Sequence, residues 1–563
     1  MKKKSSMEEI ILKYALQNAL RYGKAQPDKI ISKVIGKKPE LKKQAINLNE
    51  EIVKTVKKIN NLRKEEIEKQ LKMIAPELLK AKRTKKLGLK PLKIKKDISV
   101  VMRFEPSPTG PLHIGHSYVL SLNSEYCKKY KGKLILRISD TNPGNIDPDA
   151  YEMIKEDAIW LTNNNISEIL IQSNRMELYY DYAEKLIETG DLYICTCPQG
   201  TFKALVDNKQ ACPCRSNDIE ENKMRWKKMF TEYQPGNAAA RFKTDIKHKN
   251  PAMRDFPCFR ITDEEHPKHG KHYRVWPLMN FAVAVDDADS SVTHIVRAKD
   301  HADNAKKQEY IHKALKQNIP ETIFLGMINF QLKRLSTSEI RKEIIKGKYI
   351  GWDDIRLPFL RALKRRGYQP GALLRYALEI GVTQTDKTIS AEDFYKSLNA
   401  FNKEIIEPIA HRYYFVDHPV RIIINGAPEQ EFQLDLHPDY KKGGRFFRTK
   451  EEFYITKDDF DAIKTGEEVR LKGCLNFKKE SEGKFKYVEG DHTTFKGRKI
   501  IHWLTRDWVD IEVLMPDASV RKGKGERWLR KLKEGTLVQF ERFGFCRLDS
   551  IKTDKLVFWF THR

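Results

Sequence analysis

Two histidines in a loop rich in proline and glycine are the side chains best suited to chemistry in this sequence. His113 and His116 are three positions apart at the start of a predicted helix, so they share one face and can donate hydrogen bonds to phosphate oxygens. Gly115 leaves room for a ligand beside the backbone, and the first-turn N–H groups of a helix attract anions. The pattern favours a nucleotide site, and two surface histidines on a turn are the alternative interpretation.

The elements around this loop must hold the histidines in place. A β-branched run at 98–101 predicts a buried strand before the loop, and the segment after His116 has few residues that break a helix. A second strand at 133–138 completes a βαβ unit with two parallel strands. Residues 139–143 follow that strand at its carboxyl end, where open α/β sheets bind their ligands, although an ordinary turn would have the same residues.

Four cysteines are arranged in two close pairs. They follow the pattern C-x-C-x14-C-x-C and are Cys195, Cys197, Cys212 and Cys214. Four thiolates at this spacing are typical of a tetrahedral structural zinc site, and loss of the zinc is expected to unfold the segment. Four unconnected buried cysteines are the alternative, which the paired spacing disfavours.

Length and charge limit the class of protein. A chain of 563 residues is long enough for several domains, because a single core rarely grows beyond about 300 residues. The formal net charge of +28 favours a polyanionic partner, with nucleic acid as the leading candidate and a solvated basic surface as the alternative. The sequence has no apolar run of about 18 residues and no signal-peptide core, so we expect a cytoplasmic protein without a membrane segment.

Residue periodicity predicts four regions. They span 1–96, 97–330, 331–413 and 414–563. The first is helical and ends in a basic tract at 80–96, which is either a solvated linker or a contact to RNA phosphates. The second contains the βαβ unit and an insertion at about 190–275 that carries the cysteines. The third is a loop followed by a helical bridge, and the fourth changes to short strands and turns, which is typical of all-β barrels.

One stretch of the sequence resembles a known family. It runs Arg103-Phe-Glu-Pro-Ser-Pro-Thr-Gly-Pro-Leu-His-Ile-Gly-His116 and resembles the signature region of glutamyl-tRNA synthetases, which are class I aminoacyl-tRNA synthetases. Later segments resemble the archaeal branch, so the resemblance covers nearly the whole chain. It implies a multidomain α/β fold: a Rossmann-type class I synthetase catalytic domain with a zinc-bearing insertion, an N-terminal helical domain and C-terminal all-β anticodon-binding barrels.

The resemblance implies an ATP site around the two histidines. The residues expected to bind ATP with its Mg²⁺, or to act in catalysis, are His113, His116, Gly115, Thr109, Arg334, Ser336 and Ser338. Residues 335–339 lie where class I synthetases carry the mobile KMSKS loop, whose lysine charge stabilises the transferring phosphates. Thr337 takes the place of the second lysine. A helix N-cap that pairs Ser336 with Glu339 explains the same residues, and the two interpretations are compatible.

The resemblance also implies a pocket for L-glutamate. Its residues are Arg103, Ser107, Ser139, Met279 and Arg297. A bidentate arginine is suited to a carboxylate, which favours glutamate over glutamine. Ser139 stands where the family has a carboxylate that is associated with the substrate α-ammonium group, and Met279 stands where a tyrosine is usual. We therefore expect a raised Michaelis constant for glutamate, unless Asp140, Glu105 or a water takes over.

Residues 351–358 resemble a segment, GWDDPR, that helps to position tRNA in the archaeal and eukaryotic enzymes. Ile355 stands at the usual proline. The resemblance implies contacts to tRNA from Trp352, Asp353 and Arg356. A simple turn before the helix that follows is the alternative.

The activity implied by the whole resemblance is ATP-dependent attachment of glutamate to tRNA(Glu) through a glutamyl-adenylate. The resemblance leaves open whether tRNA(Gln) is charged as well. A small-molecule nucleotidyltransferase is one alternative, which the cysteine cluster and the C-terminal barrels disfavour. A non-catalytic tRNA-binding paralogue is another, suggested by the departures at Ser139, Met279 and Thr337.

Overall fold

A computed structural model provides the structure of the chain. It describes residues 7–37, 45–75, 89–94, 98–331, 336–439, 443–491, 495, 497 and 499–563. The chain divides into two compact units, Met1–Gly88 and Leu89–Arg563. Within the described residues, no helix is both long enough and apolar enough to cross a membrane. Most of the basic tract at 80–96, and Arg334, lie outside the described residues.

The first unit contains four described helices. They are α1 (Met7–Tyr22), α2 (Pro27–Lys37), α3 (Ala45–Ile59) and α4 (Lys64–Ile74). Ile11, Leu16 and Ile52 are completely buried between the helices and form the centre of its core. Ile67 and Leu71 of α4 also face this core, which confirms the predicted helical N-terminal region.

The catalytic part of the second unit alternates strands and helices. In chain order its elements are β1 (Val101–Phe104), α5 (Ile114–Tyr130), β2 (Lys133–Ile138), α6 (Ala150–Thr162), β3 (Glu168–Ile171), α7 (Met176–Glu188), β4 (Leu192–Cys195), α8 (Gln199–Asp207), α9 (Ile219–Thr231), β5 (Ala239–Phe242), β6 (Pro257–Ile261), β7 (Val275–Pro277), α10 (Met279–Asp289), β8 (His294–Ala298), α11 (Ala302–Ala314) and β9 (Glu321–Leu325). Five strands form a parallel sheet in the order β3-β2-β1-β8-β9. This is the Rossmann-like arrangement, whose carboxyl edge is the usual place for a ligand.

The first strand lies later in the chain than predicted. The β-branched run at 98–101 was expected to form it, but β1 covers Val101–Phe104 and includes Arg103. A charged residue in a buried strand is stable only with a partner, and Asp287 supplies one at 2.9 Å. Because that partner is distant in sequence, local periodicity could not place Arg103 in the strand.

The four strands β4 to β7 form a separate antiparallel sheet within the catalytic region. They pair in the order β4-β5-β6-β7. The sheet packs with α7 and α9 around a core that contains Tyr179, Trp226 and Phe259. The insertion therefore has its own apolar support, independent of any metal.

The bridge after the parallel sheet is mainly helical. Its elements are β10 (Ile328–Gln331), α12 (Thr337–Ile345), α13 (Leu360–Arg366), α14 (Pro370–Ile380), β11 (Lys387–Ser390) and α15 (Ala391–Ile406). β10 and β11 pair in parallel. Tyr376 and Leu398 pack into the same apolar core as the parallel sheet, so the bridge continues the catalytic part.

The rest of the chain is almost entirely β. Its elements are β12 (His411–Tyr413), β13 (Phe415–Asp417), β14 (Pro419–Asn425), β15 (Gln430–Asp435), β16 (Gly444–Thr449), β17 (Glu452–Thr456), α16 (Lys457–Ala462), β18 (Glu468–Leu471), β19 (Asn476–Ser481), β20 (Lys484–Glu489), β21 (Lys499–Ile501), β22 (Trp508–Leu514), β23 (Val520–Glu526), β24 (Leu537–Phe540), β25 (Gly544–Ile551) and β26 (Lys555–His562). Larger sheets of six and seven strands surround two cores, one centred on Trp503 and the other on Phe558. The predicted barrel-like C-terminal region is confirmed.

A three-way ionic contact joins the second barrel to the bridge. Arg365 of α13 donates to both carboxylate oxygens of Asp549 in β25, at 2.7 and 2.8 Å. Its remaining terminal nitrogen donates to Asp353 at 2.9 Å. Since a bidentate arginine–carboxylate pair is geometrically specific, the contact sets the orientation of this end of the barrel.

Candidate active site

A cavity of about 500 Å³ lies at the carboxyl ends of β1, β2, β8 and β9. The predicted site residues in its lining are Arg103, Ser107, His113, Gly115, His116, Ser139, Met279 and Arg297. Glu105, which was considered only as a substitute for a missing carboxylate, also lines it. The fold thus brings the five predicted amino-acid residues and three of the predicted ATP-binding or catalytic residues into one cavity.

Backbone hydrogen bonds to the bridge fix the loop that carries the two histidines. The N–H of Ile114 donates to the carbonyl of Pro358 at 3.2 Å, and the N–H of Leu360 donates to the carbonyl of Leu112 at 2.9 Å. The buried Asp157 of α6 accepts the N–H of Leu112 at 3.0 Å. The start of α5 is therefore held from two sides.

Both histidine rings have the same tautomer. His113 Nδ1 accepts from the N–H of Gly115 at 3.0 Å, and His116 Nδ1 accepts from the N–H of His113 at 3.4 Å. In each neutral ring the proton must then be on Nε2, which becomes a donor. A β-carbon at Gly115 would lie 2.8 Å from His113 Cε1, so glycine is required for this ring position.

The two rings are neutral at physiological pH. Burial lowers the pKa of His113 to about 4, and burial together with the neighbouring His113 lowers the pKa of His116 well below its ordinary value. The rings stack with their centroids 3.8 Å apart, which two charged imidazoles would resist. The site therefore offers phosphate oxygens two N–H dipoles in place of two charges.

A buried ion cluster adjoins the cavity, which two of its members, Arg103 and Glu105, line. Arg103 donates to both oxygens of Asp287 at 2.9 and 3.3 Å, and its Nη1 lies 2.9 Å from Glu105 Oε2. Arg137 donates to Asp287 at 2.7 Å and to Glu105 at 3.1 Å. Burial acts to raise the pKa of Asp287, but the two guanidiniums outweigh it and lower that pKa to about 2. Each nitrogen of the Arg103 guanidinium thus already contacts a protein carboxylate.

Arg297 has unused hydrogen-bonding capacity. It is 8% exposed and donates from Nη1 to Gln308 at 2.9 Å, whereas its Nε is buried with no hydrogen-bond partner among the described residues. Burial and then repulsion from Arg103 lower the pKa of Arg297 to about 10, so it stays charged at neutral pH. An anionic group in the cavity would satisfy this guanidinium.

Ser139 and Asp140 are already engaged. Ser139 donates its hydroxyl proton to Gln172 at 2.8 Å. The oxygens of Asp140 accept from the hydroxyls of Tyr151 and Ser173 and from the N–H of Ser173, all at 2.7 to 2.8 Å. Ser139 keeps only an uncharged acceptor for a ligand, and Asp140 has a structural role.

Met279 and Ser107 are the most accessible of the predicted amino-acid residues. Met279 is the first residue of α10 and is 36% exposed at the cavity, and Ser107 is also exposed. Among the described residues, neither side chain has a hydrogen bond or ion pair that would hold it away from the cavity. Their contact with an amino acid stays a prediction.

The segment expected to act as a KMSKS loop meets the histidine loop. Thr337 Oγ1 lies 3.3 Å from Thr109 Oγ1. Ser336 is the N-cap of α12 and accepts from the N–H of Glu339 at 3.4 Å, with the hydroxyl of Ser338 3.1 Å away. The N-cap interpretation is confirmed. Thr109, Ser336 and Ser338 are not part of the cavity lining, so their contact with ATP stays a prediction.

The segment expected to position tRNA is held by internal contacts. Trp352 packs edge to face on Phe359, and a β-carbon at Gly110 would lie 3.2 Å from its ring. Arg356 donates to Asp354 at 2.7 and 2.8 Å. Asp353 accepts a hydrogen bond from Arg365, as part of the ionic contact that joins the bridge to the second barrel. A role of Trp352, Asp353 and Arg356 in tRNA binding also stays a prediction.

The four predicted cysteines come together. Their sulfurs all lie within 4.8 Å of one another, with Cys195 and Cys212 at 3.8 Å and Cys197 and Cys214 at 3.7 Å. A tetrahedral ion with metal–sulfur bonds of about 2.3 Å has sulfur–sulfur edges of about 3.8 Å. Arg225 donates to Cys214 Sγ at 3.4 Å, which favours a negatively charged thiolate set. The group can hold a metal ion.

Sequence reasoning missed two members of the ion cluster, Arg137 and Asp287. A signal was present in the alternation of polar residues at the ends of both strands, since Arg103 and Glu105 are two apart and so are Arg137 and Ser139. In parallel strands with this register, all four share one face of the sheet. A polar face at the carboxyl end of a buried sheet indicates a binding site.

Family models match most of the chain. The catalytic domain of class I tRNA synthetases (E and Q) matches residues 99–408. Anti-codon binding domains of the same synthetases match residues 410–494 and 500–549.

Similar proteins match over their whole length. The glutamate–tRNA ligase of Methanobrevibacter smithii is 40% identical over 574 residues, that of Thermococcus kodakarensis 41% over 577, and that of Methanocaldococcus jannaschii 42% over 562. Each alignment covers 99% of this chain and 100% of the relative. With the parallel sheet, the cavity at its carboxyl edge and the barrel-like C-terminal region, these matches show that the chain belongs to the class I tRNA synthetases of the E and Q type.

Proposed function

We propose that this chain is a glutamate–tRNA ligase, which attaches L-glutamate to tRNA at the expense of ATP. The observation that carries the proposal is the pairing of two functions in one cavity. His113 and His116 present neutral N–H donors suited to phosphates, and Arg297 presents a buried cation with an unused donor suited to a carboxylate. Three relatives that align with this chain over their full length bear the name glutamate–tRNA ligase.

The first step of the proposed reaction forms an adenylate. An oxygen of the glutamate α-carboxylate attacks the α-phosphorus of ATP, which enters as its Mg²⁺ complex, and the bond to the β-phosphate breaks to release pyrophosphate. Nε2–H groups of His113 and His116 donate to the phosphate oxygens where charge develops. Both donors are oriented by the backbone in advance, so the protein does not reorganise during the step.

The second step transfers the glutamyl group to tRNA. A terminal ribose hydroxyl of tRNA attacks the carbonyl carbon of the adenylate, and AMP leaves. We place the anticodon on the barrels at 414–563, and tRNA against Trp352, Asp353 and Arg356. Matches to anti-codon binding domains support this choice over a small-molecule nucleotidyltransferase, which has no use for them.

The loop after β10 is proposed to contact ATP. Arg334, Ser336 and Ser338 form this proposed contact together with Thr109 of the histidine loop, and the approach of Thr337 to Thr109 supports it. Hydroxyl and guanidinium donors suit phosphate oxygens.

We also propose that the four cysteines bind Zn²⁺. Thiolates are the ligands that zinc prefers in structural sites, and their number fills a tetrahedral shell. The ion would cross-link the end of β4 to the turn at 212–214 and supply a closed structural centre. It takes no part in the transfer of glutamate.

Pyrophosphate exchange across the twenty amino acids tests the proposed activity. We expect glutamate to give the highest activity in the presence of tRNA, because Arg297 favours a carboxylate over a neutral amide by a charge-assisted hydrogen bond. Higher activity with glutamine or another amino acid would refute the proposed substrate. No pyrophosphate exchange with any amino acid would indicate a tRNA-binding protein without catalytic activity.

Removal of either histidine side chain should slow adenylate formation. His113→Ala and His116→Ala are each expected to lower the rate by about 10- to 1000-fold, because each removes a preorganised donor to the transition state. Single-turnover formation of the adenylate measures the effect, and tRNA affinity should change little. His272→Ala, at an exposed histidine outside the cavity, is the matched control. Near wild-type rates in both site variants contradict the assignment.

The pH profile should lack a histidine inflection. The pKa of His113 is lowered to about 4 and that of His116 lies well below its ordinary value, so both remain neutral donors as the pH falls through 6.5. We expect kcat/KM for ATP, measured in excess Mg²⁺, to show no histidine titration between about pH 5.5 and 8, since this ratio reports the free enzyme. A tenfold loss per unit below about pH 6.5 would contradict the neutral assignment.

The freshly purified, reduced protein should contain about one zinc per chain, because four thiolates complete one tetrahedral shell. Cys197→Ser should lower the zinc content and the thermal stability of the insertion. Cys474→Ser, at a cysteine outside the cluster, is the control and should keep the metal. Elemental analysis decides the matter, and a metal-free wild-type protein would exclude the zinc site.

A further inference from the structure

We propose that Glu105 binds the α-ammonium group of the amino-acid substrate. The inference rests on the proposed function, because it requires an α-amino acid in the cavity. Glu105 follows β1 directly and lines the cavity together with Arg297 and Met279.

One oxygen of Glu105 is buried without a hydrogen-bond donor. The side chain is 8% exposed. Oε2 lies 2.9 Å from Nη1 of Arg103 and accepts from Arg137 at 3.1 Å, whereas Oε1 has no partner among the described residues. Because a buried carboxylate oxygen without a donor costs free energy, a ligand that brings a donor is stabilised there.

The chemistry of the proposed reactants selects the α-ammonium group as that donor. The phosphates of ATP and both carboxylates of glutamate are acceptors, so none of them suits Glu105. The adenine amino group and the ribose hydroxyls of ATP are donors, but they carry no charge and bind a carboxylate more weakly than a cation does. An ammonium group has three N–H donors and a positive charge, and its hydrogen bonds to a carboxylate are among the strongest in proteins. Arg297 and Glu105 thus leave the cavity with one unsatisfied cation and one unsatisfied carboxylate oxygen, which complement an amino acid with an acidic side chain.

Other acidic side chains nearby are less suited to this role. Both oxygens of Asp287 are bonded to guanidiniums, and those of Asp140 to hydroxyls and a backbone N–H. Asp300 lines the cavity but is exposed, so water weakens any pair it makes. Ser139 lies next to Glu105 across the strand ends, where its N–H donates to the carbonyl of Pro106 at 3.0 Å, but its hydroxyl carries no charge.

Glu105→Gln tests the proposal through two competing ligands. Glutamate carries the α-ammonium group, whereas glutarate has the same two carboxylates and lacks it. We expect the variant to raise KM for glutamate by about 10- to 100-fold, which corresponds to loss of a charged hydrogen bond. The inhibition constant of glutarate and KM for ATP should change by less than about threefold, since neither ligand presents an ammonium group. Glu125→Gln, at a surface ion pair of α5, is the control.

The affinity of glutamate relative to that of glutarate is the decisive quantity. A fall of this ratio by about tenfold or more supports the proposal, and any smaller change in a folded variant overturns it. If Glu105→Gln does not fold, Glu105→Asp carries the same test, because it keeps the charge for Arg103 and Arg137 but shortens the reach to the substrate. A wild-type protein that does not activate glutamate refutes the proposed function and this inference together. An active wild type with an unchanged ratio in the variants refutes the inference alone.

Discussion

The buried ion cluster of Arg103, Glu105, Arg137 and Asp287 is the interaction on which the catalytic cavity depends. Its two cations and two anions are at most 8% exposed and bridge β1, β2 and α10. Such a cluster contributes little net stability, but loss of one member leaves a buried charge that costs about 3 to 5 kcal/mol. The carboxyl ends of the two central strands are therefore constrained to one arrangement, and the cavity with them. Arg297 adds a positive charge that no carboxylate of the cluster contacts directly.

The part of the cavity around His113 and His116 differs from the ion cluster, because its donors are oriented neutral dipoles and not charges. Backbone N–H groups hold the Nδ1 atoms of His113 and His116, and the loop itself is bonded to the bridge through Pro358. Two protonated imidazoles stacked at 3.8 Å would repel each other, so burial and stacking keep the rings neutral. Two neutral rings held in this way present Nε2–H donors that can bond to phosphate oxygens without taking up a proton.

Sequence reasoning predicted what depends on local pattern and motif. The βαβ unit, the helices of the first unit, the strands of the barrels and the convergence of four cysteines all follow from spacing and periodicity. The start of β1 could not be obtained in this way, because Arg103 depends on Asp287 as its partner. The sequence offered Glu105 only as one of three substitutes for a missing carboxylate, because its burial beside Arg103 and Arg137 is seen only in the folded chain. Arg103 and Asp287 are 184 positions apart, and nothing in the local sequence of either identifies the other. Ion pairs between distant residues are therefore the part of the site that only the folded chain displays.

Charge acts at two scales in this protein. The formal net charge of +28 produces a field that attracts a polyanion, but salt screens it within about 8 Å at physiological ionic strength. Such a field raises the rate of encounter with any nucleic acid and cannot distinguish one amino acid from another. The cavity works at short range, where the four charges of the ion cluster cancel and Arg297 is a buried cation outside that balance. Since burial strengthens each pair there, the guanidinium of Arg297 can favour an acidic group over a neutral one, whereas the field of the net charge acts on any polyanion.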